Sequence, residues 1–258
     1  HLREVVERGG FEWSDAPTRS GSDSDTKVRI ATAAEGAAPD APTGFSLAGR
    51  PQLEAFFNEH VIDIVENRER YRVMGIEFPS AIILHGPPGC GKTFAVERLV
   101  EYLGWPSFQI EASSVASPYI HETSKKVAAV FDQAMKNAPS VLVIDEMEAF
   151  LADREMGVGS SHHRVEEVAE FLRRIPEAIK REVLVVAMTN RIEMIDPAIL
   201  RRGRFDHIVK VDMASEEEVR SLLQKLVGAL PQETGIDLDA LATKLGGRPL
   251  SDVAFVVR

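Results

Sequence analysis

The chain of 258 residues has one cysteine, Cys90, so no internal disulfide can form. That excludes a disulfide-stapled scaffold and makes a reducing, cytoplasmic setting the expectation. It also has no apolar run long enough to span a bilayer and no recognisable signal peptide, so no membrane partner is expected. Positive charge is in deficit: 30 Lys and Arg stand against 40 Asp and Glu, a net charge of −10. A general nucleic-acid binder carries a basic face, so nucleic acid is not the expected partner. No His-Glu-x-x-His zinc signature and no internal repeat occurs.

What is present is the balance of a globular protein, 44% hydrophobic and 27% charged. Residues 1–44 read as an N-terminal segment and flexible linker. A short helix is expected over 1–13, and from Ser14 to Gly44 aromatic residues are missing while Ser, Asp, Ala, Gly, Pro and Thr dominate, with one short strand at Lys27–Ala31. Residues 45–212 read as a large α/β domain. Residues 213–258 read as a small helical domain that looks truncated at Arg258.

Within the large domain, Pro51–Tyr71 carries helical spacing. Apolar runs at Ala81–Leu84, Ser107–Ile110, Val141–Ile144, Val183–Met188 and Ile208–Val211 alternate with helices expected at Lys92–Leu103, Thr123–Asn137 and Val165–Lys180, and a short one near Pro197–Leu200. Alternation of buried strands with helices predicts a doubly wound parallel sheet of five strands covered on both faces. Beyond it, Ser215 and Glu218 form a capping box opening a helix to Leu230. Asp237–Leu245 is a second helix, and Pro249 stands at the start of a third.

The stretch Gly86-Pro87-Pro88-Gly89-Cys90-Gly91-Lys92-Thr93 joins the first strand to a helix that continues through Phe94. This is the P-loop pattern in its strand–loop–helix context. Glycine-rich backbone turns its N–H groups inward on phosphate oxygens, and the helix N-terminus adds partial positive charge. Lys92 is expected on the outer phosphates and Thr93 on a magnesium ion, which makes ATP and Mg²⁺ the expected ligands. Cys90 beside Lys92 is expected to be a thiol whose alkylation blocks hydrolysis.

Asp145 and Glu146 end the third strand, where ligands meet in doubly wound sheets. Asp145 suits a magnesium ion and Glu146 the attacking water. Asn190 ends the fourth strand, where a neutral amide can bond both water and phosphate. Arg201 and Arg204 flank Gly203, and from spacing alone they read equally as anion-binding or as solvated surface.

These motifs, in order over Phe45–Arg258, resemble the AAA+ ATPases and the AAA subgroup in particular. Val141–Glu146 is similar to their Walker B motif, and Val183–Val211, with Met188-Thr189-Asn190-Arg191 and Ala198–Asp206, to their second region of homology. The resemblance implies that Asn190 is the sensor-one residue and that Arg201 and Arg204 are arginine fingers donated to a neighbouring subunit. It also implies a homo-oligomeric ring, most often a hexamer. Leu47, Ala48 and Gly49 fall where the family cradles adenine. Tyr119 and Ile120 match the pore-loop pair that grips a threaded polypeptide, although His121 stands where a Gly is usual. Gly247-Arg248 resembles a sensor-two arginine, retained in the pachytene-checkpoint-type ATPases that remodel HORMA-domain proteins, whose bacterial relatives the chain resembles.

The function implied is an ATP-hydrolysing protein remodeller, an unfoldase or disassembly machine, with a HORMA-domain protein as one client. A nucleic-acid-associated loader or resolving factor is the alternative. A nucleotide-bound assembly switch with little turnover is the third reading, and the intact Lys92, Asp145, Glu146, Asn190 and Arg201 oppose it.

Overall fold

The computed structural model describes residues 44–111, 122–151, 161–228 and 237–256. The expected elements at 1–13 and 27–31, and the expected pore-loop pair Tyr119 and Ile120, lie outside them.

Five strands form one sheet: β1 (Ala81–His85), β2 (Ser107–Ile110), β3 (Ser140–Ile144), β4 (Val183–Thr189) and β5 (Phe205–Lys210). Their spatial order is β2-β3-β4-β1-β5 and every pairing is parallel. The sheet is therefore the expected one. Side chains along each strand alternate between two cores, as a period of two requires. Ile83, Leu142, Ile144, Val183 and Val185 join Phe131 and Phe171 from the helices Glu122–Lys136 and Ser161–Lys180 on one face. Ile82, Leu84, Val141, Val143 and Val186 join Phe57 and Leu99 on the other, under the helix Lys92–Leu103. Burial on both faces explains why the central strands read as unbroken apolar runs; each such side chain contributes about 1.5–3 kcal/mol.

The helices Glu216–Gly228, Leu238–Leu245 and Leu250–Val256 enclose a smaller core of Val219, Leu222, Leu223, Leu245 and Val253. Ser215 caps the first as expected: its hydroxyl accepts the Glu218 N–H at 3.2 Å, and Glu218 returns the bond to the Ser215 N–H at 2.9 Å.

Four expectations are corrected. The helix over Pro51–Tyr71 is not continuous; it passes through a π turn at Asn58–Ile62 and breaks at Asn67 before Arg68–Val73. Pro197–Leu200 is a turn, and the short helix is the 3₁₀ turn Ile192–Met194. The helix ending at Lys180 starts at Ser161, four residues before the expected Val165. β5 starts at Phe205, three residues before the apolar run, because an edge strand buries one face only and Asp206 and His207 interrupt the pattern.

Candidate active site

The parallel sheet brings the C-terminal ends of β1, β3 and β4 side by side, and the loops leaving them build the site. Backbone bonds fasten these ends together. Gly86 N–H donates to the Thr189 carbonyl at 3.3 Å, and Met147 N–H donates to the Met188 carbonyl at 3.0 Å. On the other side Val211 N–H donates to the His85 carbonyl at 2.7 Å. His85 is half-buried; burial, and then the charge of Lys210, push its imidazole below the usual range, so it is neutral near pH 7.

Lys92 is buried at 8% exposure, and its ammonium is fully engaged. It donates to the Gly86 carbonyl at 2.8 Å, the Pro87 carbonyl at 3.0 Å and the Asn190 Oδ1 at 2.9 Å. Three protons meet three oxygens. Lys92 thus joins the loop after β1 to the end of β4, and the two residues expected to face the phosphates are brought together.

Asp145 is half-buried and accepts the Glu146 N–H at 2.8 Å. Burial holds its carboxyl above the usual range, a shift that the bond from Glu146 opposes. Glu146 is exposed and adopts a left-handed backbone with φ +50°, uncommon for a residue with a β-carbon. Strain of this kind costs of order 1–3 kcal/mol and concentrates at working sites.

Thr93, Pro88 and Gly89 are exposed at the mouth of the loop, and Phe94 is half-buried beneath the Arg98 guanidinium. Gly89 and Gly91 have φ of +77° and +92°, and a β-carbon at either would lie 2.7 Å from Pro249 or Leu250. Leu250 N–H also donates to the Gly89 carbonyl at 3.0 Å. The last described helix is therefore seated on the loop. Exposed Arg248 stands two residues before Leu250. Pro249 precedes that helix rather than opening it.

Leu47 is buried, Ala48 half-buried and Gly49 buried against the helix Glu216–Gly228. A β-carbon on Gly49 would meet the Glu218 carbonyl at 3.0 Å and Leu222 at 3.1 Å. A cavity of about 410 Å³ opens beside these residues, lined also by Glu54, Ser221 and Lys225.

Arg201 is exposed, while Arg204 is half-buried and donates to the Ala198 carbonyl. Both precede β5. The register pairs Phe205 with Ala81, the first residue of β1, whereas the phosphate loop leaves its last. A five-residue strand spans roughly 13 Å between its end residues, so the backbone enters β5 after Arg204 at the end of β1 opposite the loop.

Cys90 is corrected. Its sulfur lies 3.6 Å from the Lys92 ammonium, as its place in the loop suggests, but the side chain is fully buried in the core beneath the loop, so the thiol is not accessible to alkylation.

The sequence reading missed two residues. Glu148, a turn beyond the acid pair, accepts the Asn190 N–H through Oε1 at 3.2 Å while its Oε2 is buried without a partner. Arg50, 4% exposed, donates to the Cys90 carbonyl and, at 3.3 Å, to Glu218. Adjacency to the acid pair could have flagged Glu148. Nothing in spacing flags Arg50.

The donor set fits a nucleotide with magnesium. A glycine-rich loop opens a helix, a lysine lies within it, and a hydroxyl and a carboxylate offer hard oxygen ligands. Among the described residues no cluster of three or more His, Cys, Asp and Glu side chains is placed to hold a metal. A magnesium ion completed by phosphates and water needs only one or two protein ligands.

Comparison with known proteins agrees. Residues 82–213 match the sequence profile of the ATPase family associated with various cellular activities (AAA). The chain is 32% identical over 197 residues to the ATP-dependent zinc metalloprotease FtsH 1 of Conexibacter woesei, covering 76% of this chain and 30% of that protein. It is 30% identical over 196 residues to FtsH 3 of Symbiobacterium thermophilum, covering 75% and 31%. For the FtsH of Mycobacterium tuberculosis the figures are 31% over 197 residues, 76% and 26%. The chain thus spans about a third or less of these relatives. Among the described residues no helix is long and apolar enough to cross a membrane. The profile match over half the chain and the nucleotide-loop geometry agree: this chain belongs to the AAA family of ATPases.

Proposed function

We propose that the chain is the motor of a ring of identical subunits, most simply a hexamer, that couples ATP hydrolysis to remodelling of a protein client in the cytoplasm. The observation that carries this reading is the Lys92–Asn190 bond beside the Asp145–Glu146 pair, with Arg201 and Arg204 at the far end of the sheet. The separation of these two groups within one chain supports a reading in which the arginines serve the nucleotide of a neighbouring chain.

In this reading the backbone of Pro88–Gly91 and the start of the helix at Lys92 receive the phosphates. Lys92 exchanges its loop carbonyls for phosphate oxygens and keeps Asn190 within reach. Thr93 and Asp145 would hold Mg²⁺, which neutralises phosphate charge when bound. Glu146 orients the attacking water and takes its proton. Asn190, set by Glu148, bonds the water and the outer phosphate. Arg201, with Arg204 beside it, stabilises the transferred phosphoryl group of the neighbouring subunit. Leu47, Ala48 and Gly49 border the base. Arg248 approaches the phosphates from the helical domain, taken here as 213–258, with 45–212 as the large domain.

The FtsH relatives are ATP-dependent zinc metalloproteases, and a protein client is the reading that likeness supports. The narrower expectation of a HORMA-domain client finds no support in the comparisons. ATP turnover measured alone, with an unfolded polypeptide, with a HORMA-domain protein and with DNA tests the reading. Stimulation by polypeptide is expected, and stimulation by DNA alone would overturn it.

A further inference from the structure

We propose that Arg50 is a positioning residue that ties the phosphate loop to the lid helix Glu216–Gly228, so that nucleotide affinity depends on the Arg50–Glu218 pair. This rests on the ATP-binding reading above.

Arg50 is 96% buried, yet it carries a permanent charge and its Nε has no partner. Burying a charge is costly unless it is paired, and an apolar residue would serve a purely structural role at lower cost. Its two terminal nitrogens face different parts of the molecule. One donates to the carbonyl of Cys90, inside the loop. The other donates to Glu218 Oε2 at 3.3 Å. That same oxygen accepts the Ser215 N–H at 2.9 Å in the capping box. A continuous chain of bonds therefore runs from the phosphate loop through one rigid guanidinium to the first turn of the lid helix.

The geometry gives this chain a consequence. A trans peptide is planar, so its carbonyl and the following N–H point in opposite directions. By holding the Cys90 carbonyl, Arg50 fixes the Gly91 N–H on the side away from itself. Gly91 permits the approach: the place of its missing β-carbon lies 3.6 Å from Arg50 Nε. Lysine would keep the charge but, as a point donor, could not hold two fixed acceptors in the same plane.

The test is a double-mutant cycle on the full chain, read as the dissociation constant of fluorescent ADP, with the nucleotide-free thermal midpoint in parallel. Arg50→Lys is expected to weaken ADP about tenfold, the scale of one charge-assisted bond. Glu218→Gln preserves the capping box, since Gln also serves there, and is expected to weaken ADP by a similar factor. The double variant is expected to be no weaker than Arg50→Lys alone, because Arg50→Lys breaks the chain of bonds and Glu218→Gln removes the charge from that same link. Wild-type ADP affinity in either folded single variant, or effects that multiply in the double variant, would overturn the proposal. Should Arg50→Lys fail to fold, Glu218→Gln decides alone. Absence of ADP binding in the wild-type chain would instead overturn the ATP-binding reading.

Discussion

The Lys92 ammonium and the Asn190 side-chain oxygen lie 2.9 Å apart, bridging the loop after β1 and the end of β4. Asn190 is in turn held by Glu148, whose carboxylate accepts its backbone N–H at 3.2 Å. A strand end, a loop and a neighbouring turn therefore share one small polar network.

That network predicts the behaviour of Asn190→Ala. Removing one oriented polar group from a phosphoryl-transfer site is expected to lower kcat by about a hundredfold. ADP affinity should change far less, because the loop backbone and Lys92 remain. Steady-state turnover paired with ADP titration separates the two. A loss confined to affinity would contradict the role given to Asn190.

Asp145 predicts a conflict between stability and activity. Burial raises its carboxyl in the folded chain, so its favourable contribution is fully present below the ordinary carboxylate range and is lost as pH rises through the folded value. Above that value its ionisation opposes folding. Asp145→Asn is therefore expected to raise the thermal midpoint at pH 7 while abolishing Mg²⁺-dependent turnover. Differential scanning calorimetry checks the first half, and a lower midpoint would contradict it.

The histidines predict a fall in stability with acid. Burial lowers both His85 and His207 below the ordinary imidazole value, and for His207 the adjacent His60, 4.6 Å away ring to ring, adds to it. The unfolded chain takes up protons as pH falls below about 6.5, before the folded chain does. Stability should hold above that pH and decline as pH drops toward the folded values. His207→Gln should flatten the decline, measured as urea midpoints across pH 5–8.

The arginines predict complementation between subunits. Arg201→Ala is expected to retain ADP binding and lose turnover. Mixed with a Lys92→Ala chain, it should recover part of the activity, because a subunit with an intact loop then meets a neighbour with an intact arginine. Mixtures as inactive as either parent would place the arginine in its own site.

Much of this was legible in the sequence, for identifiable reasons. β1, β3 and β4 are buried on both faces, so each reads as an uninterrupted apolar run, and the phosphate loop, Asp145 and Asn190 follow directly on their ends. The loop and its helix are local in sequence, and so is the capping box of Ser215 and Glu218. What escaped notice is non-local. Arg50 and Glu218 are 168 residues apart, and before folding Arg50 is an ordinary charged residue preceding Pro51. The left-handed Glu146 has no signature in residue type. Cys90 reads as reactive from the nearby Lys92 and helix N-terminus; its sulfur does lie 3.6 Å from the Lys92 ammonium, but the side chain is buried in the core with Leu84 and Ala95.

The most direct measurement is Mg²⁺-dependent ATP turnover by the wild-type chain and by Glu146→Gln at equal nucleotide occupancy. The account predicts turnover per subunit that rises with protein concentration in the wild type. It predicts at least a hundredfold less in Glu146→Gln, the scale of removing a general base, with ATP still bound. Equal turnover in the two chains, or none in the wild type at any concentration, would contradict it.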